Sequence, residues 1–197
     1  KIPNVAVEEY NYEESNRLMK AFGYSYEEVK DSVLPMALNG SEAIGAMGVD
    51  TPLAVLSKRH HPLFDYFKQL FAQVTNPPID SIREKVVTST TVYLGTDGNV
   101  LEEKAENCKQ LKINDPILTN TDLLKIKNMK VDGFKVETIP IIYYKNTSLE
   151  KAIDHLFVEV DRAHREGANI IILSDRGVDE NHVAIPSLLA VSALQQY

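Results

Sequence analysis

The chain has 197 residues, of which 44% are hydrophobic and 25% are charged, and its net charge is −7. The acidic balance argues against a nucleic-acid or anionic-membrane surface, and no apolar run approaches the ~20 residues that span a bilayer. The single cysteine, Cys108, cannot form an internal disulfide or a cysteine metal site, which indicates a reducing, cytoplasmic setting.

The first part of the chain predicts helices joined by turns. Residues 9–22 have mixed helical spacing, and a glycine follows them. Ser25 with Glu28 forms a capping box for a second helix, which is expected to end before Pro35. Residues 35–52 contain three glycines and two prolines, so this stretch predicts short turns.

The most tightly specified stretch is a helix, a rigid corner and a second helix. Residues 63–74 carry one apolar helical face, and Pro77 and Pro78 then stop the helix. Ser81 with Glu84 forms a capping box for a short helix after the corner. The apolar face consists of Leu63, Phe64, Phe67, Leu70, Phe71 and Val74.

The middle of the chain gives weaker signals. Residues 90–94 are rich in β-formers, and residues 95–99 form a turn cluster. Residues 102–111 are polar and weakly helical, and a short helix is expected to begin at Thr121 or Asp122.

Strands and helices alternate in the remainder. Residues 135–144 predict a strand pair, or one long strand interrupted at Pro140. Thr147 with Glu150 forms a third capping box, and the strongly apolar helix that follows ends at Gly167.

The last strand and helix complete an α/β pattern. The apolar run at residues 169–173 predicts a strand buried on both faces, and Pro186 suits the first position of the final helix. The alternation predicts a single α/β domain with parallel pairing and a helical N-terminal part. The strong strands are too few for a complete eight-stranded barrel.

The sequence contains no self-contained catalytic set. Gly40, Gly45 and Gly48 lack the lysine of a phosphate loop, which favours turn glycines. Cys108 has no histidine near it in the sequence, so an ordinary free thiol is the simpler interpretation. No nucleophile elbow and no metal-binding motif occurs.

One polar cluster remains as a candidate binding loop. Ser174, Asp175 and Arg176 follow the predicted buried strand, at the end where α/β sheets bind ligands. These residues suit an anion or a partner loop, and a buried ion pair or a helix-capping loop is the alternative. A stand-alone anion- or phosphate-binding module is therefore one functional hypothesis.

Four segments carry a resemblance to a known family. They are residues 47–57, residues 65–80 with the run FAQVTNPPID, residues 173–176 and residues 185–191. Together they strongly resemble the central domain of the glutamate synthase large subunit. The resemblance covers most of the chain and implies that residues 1–197 are a connector domain cut from a larger multidomain chain.

The resemblance implies a parent enzyme that makes two L-glutamates from L-glutamine and 2-oxoglutarate. In that family a glutaminase domain releases ammonia, which passes through a tunnel to an FMN-binding synthase domain with a 3Fe-4S cluster. The central domain joins the two and is similar to a rudimentary, incomplete β/α barrel. This chain is then expected to hold no cofactor, metal or catalytic residue. Ferredoxin and a nicotinamide cofactor both stay open as electron donor.

The proline corner is the candidate domain junction or tunnel wall. Prolines fix its backbone, while a hydroxyl and an amide beside them suit hydrogen bonds to a partner loop or to ammonia. The alternative is that Asn76 only completes the end of its own helix. The candidate residues are Thr75, Asn76, Pro77, Pro78, Asp80 and Arg83.

Overall fold

The computed structural model describes residues 9–45, 52, 54–58, 61–67, 69, 71 and 78–197. The chain divides into two compact units, one formed by residues 9–80 and one that contains residues 81–197. No described helix is long and apolar enough to cross a membrane.

The first unit begins with helix α1, which spans Tyr12–Ala21. The Asn11 side chain accepts a hydrogen bond from the Glu14 N–H at 2.9 Å, and the Glu14 carboxylate accepts one from the Asn11 N–H at 3.1 Å. This capping box satisfies two N–H groups that have no partner inside the helix. It places the helix start at residue 12, three residues later than the spacing predicts.

The second helix does not end before Pro35, so that prediction is wrong. Ser25 and Glu28 form the expected capping box for helix α2 (Tyr26–Glu28). A π-helical turn (Val29–Val33) follows, and helix α3 then runs over Leu34–Asn39. Pro35 lies in the first turn of α3, directly after the π-helical turn, so the change in helix type falls where the proline removes a main-chain N–H.

The predicted amphipathic helix at residues 63–74 is also wrong in its described part. Leu63–Phe67 form a 3₁₀ helix, and Phe67 and Phe71 are 80% and 62% exposed. Helices in proteins are stabilised mainly by packing of their apolar face. A stripe this exposed gives an α-helix little support. Leu70, Val74, Thr75, Asn76 and Pro77 lie outside the described residues.

The second unit contains four α-helices, one 3₁₀ helix and six short strands among its described residues. The helices are α4 (Ser81–Val87), α5 (Asn120–Lys127), α6 (Leu149–Arg165), α7 (Ser187–Gln196) and a 3₁₀ helix (Ala105–Cys108). The strands are β1 (Val92–Leu94), β2 (Leu111–Ile113), β3 (Val136–Pro140), β4 (Ile142–Tyr144), β5 (Ile170–Ser174) and β6 (His182–Ala184).

Strands β1 and β2 form an antiparallel pair, with Val92 opposite Ile113 and Leu94 opposite Leu111. The sequence predicts β1 but not β2, because three residues after a polar stretch are too few to show an alternating pattern. The weakly helical segment before β2 forms only the short 3₁₀ helix.

Strand pairing changes from parallel to antiparallel at Ile141. Strand β3 pairs in parallel with β5, and β4 pairs antiparallel with β6. This confirms the predicted strand pair with a break near Pro140 and the parallel pairing. Strand β5 is less buried than predicted, since Ile170 is buried and its other residues are half-buried.

Helix α6 packs a buried apolar face against these strand pairs. Ala152, Leu156, Val160 and Ala163 are buried in one cluster with Ile139, Ile141, Ala168, Ile185 and Ala190. Full burial of a leucine or isoleucine side chain contributes about 1.5–3 kcal/mol. The helix ends before Gly167, whose φ of 93° fits the predicted glycine terminator.

Strand pairing supports the α/β class and shows no barrel. Within the described residues the strands pair two by two, and no sheet closes on itself. The likeness to an incomplete barrel therefore stays a prediction.

Ser148, not the predicted Thr147, caps helix α6. Its hydroxyl accepts a hydrogen bond from the Lys151 N–H at 3.4 Å. We expect Ser148→Ala to lower the free energy of unfolding by about 1 kcal/mol, because an N–H at the helix start loses its acceptor. Thr147→Ala is the matched control and should leave that free energy nearly unchanged in urea unfolding. Equal losses for both variants would contradict this assignment.

Candidate functional site

The polar loop begins where strand β5 ends. Ser174 lies opposite Pro140, and its main-chain oxygen accepts a hydrogen bond from the Ile141 N–H at 2.8 Å. The Ser174 hydroxyl accepts a long hydrogen bond, 3.4 Å, from the Arg176 N–H. Asp175 is half-buried and Arg176 is exposed, so these two residues do not form a buried ion pair. The loop lies at the carboxyl end of a parallel strand, as predicted.

A second polar group, missed by the sequence analysis, orders the rest of this loop. The Asp179 carboxylate accepts hydrogen bonds from the N–H groups of Asn181 at 2.7 Å and His182 at 2.8 Å. The His182 Nδ1 atom lies 3.0 Å from both carboxylate oxygens. The signal in the sequence is an Asp followed two residues later by Asn, a common turn-forming pattern.

These contacts stabilise the ionised form of Asp179. The main-chain hydrogen bonds from Asn181 and His182, and then the His182 side chain, lower the pKa of the Asp179 carboxyl below 3.8. Residues 174–181 contain Asp175, Asp179 and Glu180 against one arginine, so the loop has an acidic balance. An anion-binding role for Ser174, Asp175 and Arg176 stays a prediction, and this charge disfavours it.

A groove lies beside helix α6 and the junction of β3 with β4. Its volume is about 680 Å³. Buried side chains of Ile141, Leu156 and Ile185 line its apolar part, and Lys151 and His155 contribute polar groups from the helix. Such a mixed lining suits a ligand or segment with both apolar and polar groups.

The described part of the proline corner begins at Pro78. Pro78 and Asp80 are exposed, and Arg83 lies in helix α4. The boundary between the two compact units falls between Asp80 and Ser81, directly after the corner. Helix α4 begins at Ser81, the residue predicted to cap it, so the helix starts one residue earlier than predicted. The candidate residues Thr75, Asn76 and Pro77 lie outside the described part of the chain.

The residues of this chain do not fit an iron–sulfur cluster. Such clusters are held by several cysteine thiolates, whereas this sequence has Cys108 alone, which is exposed at the end of a 3₁₀ helix. In residues 78–197 and the other described ranges, no group of three or more His, Cys, Asp or Glu side chains is placed to hold a metal ion.

The fold and these polar groups define a mixed α/β module whose described polar side chains mainly order its own turns and helix ends. A family model for the glutamate synthase central domain matches residues 17–197. The chain therefore belongs to the glutamate synthase central domain family, which confirms the resemblance found in the sequence.

Three relatives show the breadth of this match. The glutamate synthase [NADPH] large chain of Bacillus subtilis is 41% identical over 190 residues, which cover 96% of this chain and 12% of the relative. Ferredoxin-dependent glutamate synthase 2 of Synechocystis is 44% identical over 181 residues (90% and 12%). Glutamate synthase [NADH] of Schizosaccharomyces pombe is 41% identical over 187 residues (92% and 9%). The chain thus spans about a tenth of the length of these relatives.

The Asp179 contacts predict a loop that loosens in acid. Because the folded-state pKa of Asp179 is lowered, its stabilising contribution is present above the ordinary value of 3.8 and is lost as the pH falls through the folded-state pKa. We expect the amide NMR shifts of Asn181 and His182 to move together as the pH falls below the ordinary pKa of an aspartate. Asp179→Asn should abolish the transition, whereas the control Asp175→Asn should retain it. A transition that persists in Asp179→Asn would assign it to another group.

Proposed function

We propose that this chain is the connector between the glutaminase domain and the FMN-binding synthase domain of a cytoplasmic glutamate synthase. The whole polypeptide would make two L-glutamates from L-glutamine and 2-oxoglutarate. The family match over residues 17–197 supports the assignment. The share of the relatives that this chain spans, 9–12%, supports a role as one part of a large polypeptide.

The distribution of buried residues is the structural observation that supports a connector. Among the residues that the structure describes, the buried hydrophobic ones all lie between Ile126 and Ala190. Among the described residues from 9 to 125, none is buried, and large side chains such as Tyr12, Tyr26 and Phe67 are mostly exposed. Extended exposed apolar surface is typical of regions that pack against another protein surface. Neighbouring domains of the same polypeptide would supply that surface.

The chemistry of the reaction is assigned to the other domains. FMN would supply the reducing electrons, and both FMN and the 3Fe-4S cluster would be bound outside this chain. This chain would contribute no catalytic residue. It would hold the two reacting domains in fixed relative positions, so that ammonia crosses between them inside the protein. The proline corner, together with the candidate residues Asp80 and Arg83 that follow it, is the part proposed to lie at the junction.

A chimeric enzyme tests this function. The segment of the Bacillus subtilis large chain that matches this chain is replaced by residues 1–197, and glutamate formation is measured. We expect glutamine-dependent activity close to that of the parent, while the 197-residue chain alone has none. A chimera that is folded and retains glutaminase activity but makes no glutamate would contradict the connector assignment.

The corner makes a sharper prediction within the same chimera. Pro78→Gly frees the backbone of the corner, so we expect released ammonia to escape and glutamine hydrolysis to exceed glutamate formation at least about twofold. Pro116→Gly, in the polar loop after β2, is the matched control and should keep the two rates equal. Both rates are measured on one sample. Equal rates in Pro78→Gly would contradict a role of the corner in the ammonia path.

A further inference from the structure

Among the described residues, strands β3 and β4 pair with other strands along only one of their two hydrogen-bonding edges. Lys135, Ile141 and Lys145, all odd-numbered, direct their main-chain groups towards β5, β6 and the segments beside them. The pairs are Asn169 N to Lys135 O at 3.0 Å, Ile141 N to Ser174 O at 2.8 Å, Ile185 N to Ile141 O at 2.8 Å and Lys145 N to Asn181 O at 2.8 Å. Strands β5 and β6 therefore lie on the same side of residues 135–145.

The opposite edge belongs to the even-numbered residues, because main-chain groups alternate between the two sides of a strand. Val136, Thr138 and Ile142 direct their N–H and C=O groups to this edge, and Tyr144 directs its N–H there, since its main-chain oxygen accepts a hydrogen bond from the Thr147 N–H at 2.8 Å. Within the described part of the chain, no strand pairs with it. Pro140 falls on the same edge and has no N–H, so a strand added there would pair with the residues on either side of Pro140.

The groove beside α6 meets this open edge at its β4 end, from Pro140 onward, while Val136 and Thr138 lie outside the groove lining. Phe157 stacks on Tyr197 with ring centroids 4.2 Å apart, so the C-terminal end of α7 packs on that flank of α6. His155 and Glu159 are each two residues from Phe157, which places them about 200° away around the helix. They line the groove together with Pro140 and Ile142. The groove is therefore bounded by a helix flank on one side and a free strand edge on the other.

A helix flank beside a free strand edge is a suitable seat for an extended polypeptide segment. The strand edge offers main-chain donors and acceptors, and the apolar lining accepts alternate side chains of the added strand. Lys151 adds charge selectivity, since it lines the groove and its ammonium group forms no ion pair with any described residue. The segment that fits has alternating apolar residues and an acidic side chain near Lys151.

We propose that the free edge of residues 136–144 binds an extended segment from another part of the glutamate synthase polypeptide, which adds a strand beside β3 and β4 in the groove along α6. The inference rests on the proposed function, since the added strand comes from the roughly nine-tenths of the relatives' length that this chain does not span. The connector would thus be joined to its neighbours by a shared sheet as well as by the continuous chain.

Amide hydrogen exchange, resolved to single residues by fragmentation mass spectrometry, tests the added strand. Exchange is compared between the 197-residue chain and the full chimeric enzyme. We expect the N–H groups of Thr138, Ile142 and Tyr144 to exchange at least about tenfold more slowly in the full enzyme. Ile139 and Ile141 should be protected in both proteins. Equal exchange at the even-numbered residues in the two proteins would overturn the proposal.

Two variants separate strand addition from general packing. Thr138→Pro removes an N–H from the open edge, whereas Thr138→Ala keeps it. In the full enzyme, only the proline variant should restore fast exchange at Ile142 and Tyr144. In the 197-residue chain, both variants should unfold at the same urea concentration. A lower midpoint for the proline variant would show that this edge is already used, and would overturn the proposal.

The activity of the chimera distinguishes a failure of the connector function from a failure of the added-strand proposal. Slow exchange at the open edge in an enzyme that makes no glutamate would support the added strand and reject the connector function. Fast exchange in an active enzyme would reject the added strand alone.

Discussion

The main-chain hydrogen bonds of Ile141 are the constraint on which the second unit depends. Its N–H donates to the Ser174 oxygen and its oxygen accepts from the Ile185 N–H, so one residue ties the parallel β3–β5 pair to the antiparallel β4–β6 pair. Its side chain is 2% exposed and belongs to the cluster beneath α6. The polar loop, the groove and the open edge are all placed by this junction, because each begins or ends within a few residues of it.

The buried core and the proposed contact surface lie in different parts of the sequence. The buried clusters are formed by residues from 126 onward, and they give the second unit a core of its own. The described residues of the first unit form capped helices without a buried residue. Helices of this length gain little from hydrogen bonds alone, since their stability depends on packing. Such a division suits a module in which one unit has a core of its own and the other has apolar surface for the proposed contact with other domains.

Local structure was predictable from the sequence, whereas the parallel pairing of the main strands was the one long-range feature predicted. The structure confirms three predictions that depend on neighbouring residues. They are the Ser25–Glu28 capping box, the glycine after α6 and the strand, helix, strand order of β3, α6 and β5. Strands β2 and β6 are three residues long and exist only because β1 and β4 pair with them. The passage of a helix through Pro35 depends on a π-helical turn that no propensity scale encodes. Of the candidate site, the position of the 174–176 loop at a strand end was predicted, whereas the Asp179 contacts, which are local and have a turn signal in the sequence, were missed.

The central claim is that this chain couples two reaction centres without taking part in the chemistry. Isotope transfer in the chimeric enzyme measures that coupling directly: glutamine labelled with ¹⁵N at the amide is supplied together with excess unlabelled ammonium, and the glutamate formed from 2-oxoglutarate is analysed by mass spectrometry. The account predicts that this glutamate retains the ¹⁵N label undiluted, because ammonia passes between the domains inside the protein. Dilution of the label to the isotope ratio of the solution would contradict it.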